Sequence, residues 1–212
     1  VIASVSEPID EIVPDMGHVA YISHPKEWCA LIHAPDFWRF MYPIPVDMTQ
    51  EEAFEDEFLQ QRLKRLVPYE GHYSTNHLSM YAVNQRVAKC YRRGRVLLAG
   101  DSAHVNNPLG GMGMNGGIHD GIILAEKLVQ ILNHGADDGL LDLYDRQRRP
   151  IAIEYVQAQT MRNKKNLEET DPEIRKQRQG ELRVVAEDRQ MSIDMLLQTS
   201  MINGLRKSLS IQ

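Results

Sequence analysis

Residues 100–121 read GDSAHVNNPLGGMGMNGGIHDG. This stretch holds half of the chain's 14 glycines, yet it lies between two strongly apolar segments, VLLA at 96–99 and IILAEKLVQIL at 122–132. Glycine loses more conformational freedom on folding than any other residue, so a loop this rich in it needs a reason to be built. Its position sharpens the question, because a short apolar strand runs into it and a helical pattern follows.

Four chemistries compete for the loop. Gly111, Gly113 and Gly116 spell G-x-G-x-x-G, but in a dinucleotide fingerprint the glycines follow the strand directly. Here eleven residues separate Ala99 from Gly111, which rejects the match, and no G-K-[ST] follows to make a P-loop. Asp101, Ser102 and His104 are the residue types of a nucleophilic triad, but a triad converges from separate segments and there is no G-x-S-x-G. His104, His119 and Asp120 do not fall at a known metal-ligand spacing, so no metal is expected. The fourth reading is a cofactor clamp. Asp101, at the strand's end, can accept hydrogen bonds from a sugar hydroxyl. Gly110, Gly111 and Gly113 let the backbone approach a flat ligand without side-chain clash. A helix beginning near Met114 offers free N–H groups and a positive dipole end to a partly anionic ring edge, such as that of a flavin pyrimidine.

The loop and its flanks, RVLLAGDSAHVNNPLGGMGMNGGIHDGIILAEKL, resemble the second FAD-binding motif of the group A flavoprotein monooxygenases, the family of para-hydroxybenzoate hydroxylase and other aromatic-ring hydroxylases. LLDLYDRQRRP, at 140–150, resembles the Y-x-x-x-R-R-P that follows that family's helix. Together the two cover residues 95–150. The resemblance implies that Asp101 bonds the ribitol or ribose region of FAD. It implies that Pro108 sits beside the ring where substrate stacks, and that Gly110, Gly111 and Gly113 line the isoalloxazine. Met114 and Asn115 would meet its pyrimidine edge through the helix start, and His104 would pack beneath the loop. Ser102 in place of the commoner Ala, Asn107 in place of a second Pro, and Gly121 in place of Ala depart from the pattern without removing a proposed contact.

The implied activity is hydroxylation of a small phenol-like or polyketide-like aromatic substrate by O2, with NADPH or NADH as co-substrate. No catalytic residue is assigned. The family's N-terminal G-x-G-x-x-G and central Asp-Gly motif are not in this sequence, so the expected partner is an N-terminal FAD-binding half beyond this chain. VIASVS, at residues 1–6, reads as a strand already under way, consistent with that expectation. A non-catalytic fragment or half-site subunit of such a flavoprotein, and a related flavin epoxidase or halogenase, are the alternatives.

Outward from the loop, the period of the sequence changes. Residues 18–24, 27–34 and 36–45 are rich in β-branched and aromatic residues and separated by PKE and PD turns, which predicts strands. In the last of these Trp38, Phe40 and Tyr42 share one face and Phe37, Arg39 and Met41 the other. Both faces are bulky, which fits a sheet covered on both sides, or one with a face on a core and the other lining a cavity. His33, Arg39, Met41, Tyr42, His77 and Tyr81 are candidates to line it. Thr49 with Glu52 makes a capping box, and 51–67 has Phe54, Phe58, Leu59 and Leu63 at helical spacing before Pro68. Residues 72–91 read as one or two strands, and 122–132 and most of 140–212 as helix. Met191, Met195 and Met201 form a stripe expected to pack on the body or on a second subunit of a homodimer. The resulting expectation is an α+β fold, an α/β-type FAD-binding fold seen in part. It would comprise a substrate-side sheet with one helix over 1–90, a FAD-side strand–loop–helix over 91–150, and C-terminal helices over 151–212.

Composition narrows the classes. A net charge of −5 and a pI near 5.9 argue against nucleic-acid binding, and YRRGR at 91–95 reads as a solvated turn. Two cysteines, Cys29 and Cys90, are too few for a disulfide framework and suit a cytoplasmic protein. No run approaches a membrane span, and no signal peptide is visible.

Overall fold

A computed structural model describes residues 1–212, and the fold is α+β. By contacts the chain divides into two compact units. The first comprises Val1–Ala82 with Lys165–Arg175, the second Val83–Lys164 with Lys176–Gln212.

The first unit is an antiparallel sheet with helices on one face. Its strands are β1 (Ile2–Val5), β2 (Val19–Ile22), β3 (Cys29–Ala34), β4 (Phe37–Met41) and β5 (Thr75–Ser79), in the order β2-β3-β4-β1-β5. A short helix α1 (Ile9–Ile12) follows β1, and α2 (Gln50–Ala53) and α3 (Asp56–Leu66) follow β4. The alternation in 36–45 decides which face is which. Trp38, Phe40 and Tyr42 are buried with Ala3, Val5, Cys29 and Leu31 against Leu63, Val67 and Tyr73. His33 pairs with Trp38 across the strands and stacks on its indole at 4.4 Å. His33 and Tyr42 therefore belong to the core face. Of the residues expected to line a cavity, Arg39 and His77 both pair with Ser4 on the opposite face, where Met41 also lies. Burial pushes the Cys29 thiol up to about 12, which makes it inert at neutral pH.

The expected single helix over 51–67 is two. Phe54 closes α2 by giving its N–H to the carbonyls of Gln50 to Glu52, and Glu55, at ψ 130°, restarts the chain as α3. The restart gathers Asp56 and Glu57 at a helix N-terminus, where the dipole favours acids, and leaves Lys64 and Arg65 at the other end. The capping box is formed as read: Thr49 Oγ1 accepts from Glu52 N at 3.2 Å, and Glu52 Oε2 accepts from Thr49 N at 2.8 Å. Gln60, on α3, fixes the chain that follows by pairing with both backbone groups of Tyr73 at 2.9 Å each.

The second unit carries little sheet. Strands β6 (Arg86–Val87) and β9 (His104–Val105) pair, and β7 (Arg92–Arg93) and β8 (Val96–Leu97) form a hairpin over Gly94. YRRGR is that hairpin, and Arg92 is tied down by Asp142 and the Asp138 carbonyl rather than loose in solvent. Two helices follow, α4 (Met112–His134) and α5 (Gly139–Ile151). A π-helical turn, Ala152–Gln157, then leads into α6 (Ala158–Leu167), and α7 (Pro172–Glu187), α8 (Arg189–Thr199) and α9 (Ile202–Ser210) complete the chain. The methionine stripe is divided. Met201 is buried with Met112 and Val156, whereas Met191 and Met195 are each 44% exposed. No helix is long and apolar enough to cross a membrane.

Candidate functional site

Strand β8 leads to a tight turn over Gly100–Ser102, with Gly100 at φ +59°. Ser102 closes this turn on itself, its Oγ accepting from Ala99 N and donating to Ala99 O. Asp101 stands exposed at its apex. Asp101, Ser102 and His104 are thus not a triad: His104 turns inward instead, and its Nε2 meets Asp120 Oδ2 at 3.0 Å.

Asp120 is the hub of the second unit. Its Oδ2 also accepts from Gly100 N at 3.1 Å, and its Oδ1 accepts from Arg148 Nε at 2.6 Å. Arg148 reaches on to the Gly116 carbonyl. Asp120, His104 and Arg148 are each at most 2% exposed. Burial alone would push the Asp120 carboxyl up, but the hydrogen bonds from His104 and Arg148 outweigh it and hold the group below the usual carboxylate range. The preceding residue is lowered as well: burial and the nearby Arg148 charge hold His119 below its ordinary value, which keeps its ring neutral.

Glycines let the helix reach this hub. A Cβ on Gly117 would lie 3.0 Å from Gly100 Cα, and one on Gly116 would lie 3.2 Å from His104 Cε1. The α4 backbone therefore packs directly on the Gly100 turn. Helix α4 begins two residues before the expected start near Met114. Gly110, at φ +104°, and Gly111, at φ +65°, make the reversal, and Gly111 is the N-cap. No side chain caps this end and no acid lies in its first turn, so its amides and dipole are not spent within the protein.

Between the turn and the helix the chain is held by side chains from far away in sequence. Asn107, 4% exposed, shares Gln85 Oε1 through its N and Nδ2, donates to the Thr160 carbonyl at 3.1 Å, and accepts from Leu109 N at 3.1 Å. Gln157 donates to the Val105 carbonyl at 2.8 Å, and Asn163 to the Leu109 carbonyl at 3.1 Å.

The residues assigned to the cofactor by sequence all lie in the turn, loop and helix start of the second unit. Asp101 is exposed at the turn, Pro108 is half-buried, and Gly110 and Gly111 form the reversal. Gly113 falls inside the first helical turn rather than in the loop, 3.0 Å from Asn106 Oδ1 if given a Cβ. Met114 is 73% exposed. Asn115 is also exposed, but its Nδ2 is tied to the Gly111 carbonyl at 2.8 Å, so its side chain braces the cap. Sequence reasoning considered Asp120 only as a metal ligand, and gave Arg148 no role although Y-x-x-x-R-R-P marks it. Gln85, Gln157, Thr160 and Asn163 carry no local signal at all.

A FAD binding domain family matches residues 5–159. The chain belongs to that family. The match takes in the sheet as well as the loop. Among curated relatives, para-nitrophenol 4-monooxygenase of Pseudomonas sp. (strain WBC-3) is 33% identical over 191 residues, covering 88% of this chain and 47% of the relative. A putative polyketide hydroxylase of Streptomyces halstedii is 40% identical over 146 residues, 63% of this chain and 25% of the relative. The crystal structure of p-nitrophenol 4-monooxygenase from Pseudomonas putida DLL-E4 superposes with a TM-score of 0.87 at 30% identity, covering 96% of this chain and 53% of that one. The chain spans about half the length or less of these relatives.

Proposed function

We propose that this chain forms part of a FAD-dependent monooxygenase that hydroxylates a small phenol-like aromatic substrate with O2 and NADPH or NADH. The observation that carries this reading is the uncapped start of α4 behind the Gly110–Gly111 reversal, in a chain of the FAD binding domain family. The residues fit the cofactor. A Cβ on Gly111 would meet nothing within 4 Å, so the backbone there is open to a flat ring. Met112, Gly113 and Met114 offer first-turn amides to a ring edge that gains negative charge. Asp101 is exposed and would accept hydroxyl hydrogen bonds from the ribityl or ribose chain. Pro108 presents a rigid apolar edge on the substrate side, and Asn115 contributes by holding the Gly111 carbonyl. FAD, once bound, supplies electron transfer from the nicotinamide and the activation of O2. The polypeptide's part is to bind, orient and exclude water.

In this reading residues 1–90 serve the substrate, 91–150 the flavin, and 151–212 brace the flavin side. An N-terminal FAD-binding half completes the cofactor's pyrophosphate anchoring. The enzyme works in the cytoplasm, where NAD(P)H is available, and pairs as a homodimer through the exposed Met191 and Met195. The test is to purify the protein expressed from its whole gene, record its visible spectrum, and follow NAD(P)H oxidation with 4-nitrophenol and other phenols. Flavin bands and phenol-dependent oxygen consumption are expected. A folded protein that takes up no FAD overturns the reading.

A further inference from the structure

The segment running from α5 through the π turn into α6 grips the glycine loop along its length. Tyr144, Arg148, Ala152, Val156 and Thr160 are all at most 2% exposed, and they follow one another at intervals of four. An α-helix turns about 100° per residue, so sixteen residues at that pitch would carry Thr160 roughly 160° away from Tyr144. The π turn at Ala152–Gln157 adds about one residue to one turn, which takes up about 100° of that drift. It begins two residues after Pro150, which cannot donate a helical hydrogen bond. Because of this reset, Arg148 before the π turn and Gln157, Thr160 and Asn163 at or after it face the same loop. Arg148 secures Asp120, which holds Gly100, and the others secure Val105, Asn107 and Leu109.

We propose that Asn163, seated by this π turn, is a positioning residue for the flavin-facing backbone; this rests on the reading of the loop as a flavin site. Thr160 and Asn163 lie outside the matched residues 5–159. Asn163 Nδ2 donates to the Leu109 carbonyl, which fixes the planar Leu109–Gly110 peptide. The same nitrogen lies 2.8 Å from where a Cβ on Gly110 would be, so the amide is seated against the one loop residue at φ +104°. The orientation of the Gly110–Gly111 reversal, and with it the approach of backbone to ring, is set from helix α6. A loop that swings loosens the ring and admits water, so NAD(P)H and O2 are spent as NAD(P)+ and hydrogen peroxide instead of hydroxylated product.

In the flavin-loaded protein, Asn163→Asp keeps the size of the side chain but sets an oxygen against the Leu109 carbonyl. The expected result is a flavin dissociation constant raised roughly three- to tenfold, the worth of one hydrogen bond. A larger share of NAD(P)H should end as peroxide, and the melting temperature of the flavin-free protein should stay close to the parent's. Asn163→Ala gives the same pattern if the Asp variant does not fold, and Met161→Ala, two residues away and exposed, leaves both readouts at parental values. An Asn163 variant that binds flavin and couples like the parent overturns the proposal. So does one whose loss of flavin merely follows a lowered melting temperature. A parent protein that takes up no flavin overturns the underlying flavin reading, and is told apart because the failure is already present without substitution.

Discussion

Phe40 and Asp120 are equally buried, both at 0% exposure, and their surroundings differ in kind. Phe40 sits in a sheet among Ala3, Leu31, Leu63 and Tyr73, where area removed from water does the stabilising and the alternation of the strand chooses the face. Asp120 sits where a strand, a turn and two helices meet, and its environment is one cation, one imidazole and one backbone amide. Apolar packing tolerates exchange of one side chain for another of similar volume, whereas a buried charge tolerates only its own partners. The first unit is thus built for shape, and the second for holding one backbone stretch in one conformation.

The sharpest way to break this contrast is Asp120→Asn. It keeps the shape of the side chain but leaves the Arg148 charge buried without a counterion, and about 3–5 kcal/mol of stability should be lost by urea unfolding. Flavin uptake should fall with it, because Gly100 loses its anchor. The native hub also makes a pH prediction. The folded-state carboxyl lies below its ordinary value of 3.8, so its contribution is fully present above that value and is lost as pH falls through the folded one. Parent and Asn variant should converge in stability under strong acid, and a constant gap down to the lowest accessible pH would remove Asp120's ionisation from the account.

Leu63→Ala tests the other region. It opens a hole under Phe40 and should cost about 2–5 kcal/mol, as buried leucines do. Near-ultraviolet circular dichroism should register the loss around Trp38 and Tyr73. Protection of the Gly100 amide against hydrogen exchange should stay parental until the first unit unfolds. An immediate loss of that protection would mean that the two units do not differ in the way their cores suggest. Gly117→Ala has a smaller effect. Its Cβ would stand 3.0 Å from Gly100 Cα, backbone against backbone, so α4 must shift outward. About 1–3 kcal/mol is expected, together with a weaker flavin complex.

These two kinds of construction also explain what could be read in the sequence. Strands over 18–24, 27–34 and 36–45 and the buried Trp38–Phe40–Tyr42 face were legible because alternation is local. The glycine loop stood out because so many glycines gather in one stretch, and its resemblance to a flavin motif named the ligand class. The interruption at Phe54 and Glu55 was not legible, since the apolar spacing runs through it unbroken while the backbone restarts. The ties on the loop were not legible either. Asn163 and Leu109 are 54 residues apart, and Arg148 and Asp120 are 28 apart. A side-chain amide that bonds a distant carbonyl leaves no periodicity behind. Arg148 was the exception in part: a motif marked it, but nothing along the chain marked its partner.

Thr49→Ala carries the smallest expected effect and separates legibility from importance. The capping box was the most exact local reading the sequence offered, and both of its hydrogen bonds are present. Yet Thr49 is exposed, and the four-residue α2 that it caps is held mainly by Ala53 packing beneath it. Removing the hydroxyl frees the Glu52 amide to water, which partly replaces the lost bond, so about 1 kcal/mol should be lost by urea unfolding and Thr49→Ser should restore most of it. Flavin affinity should not move. A loss of several kcal/mol would mean that the turn after β4 depends on its cap rather than on the apolar contacts under it. The first unit would then rely, like the second, on a single polar residue to hold its backbone.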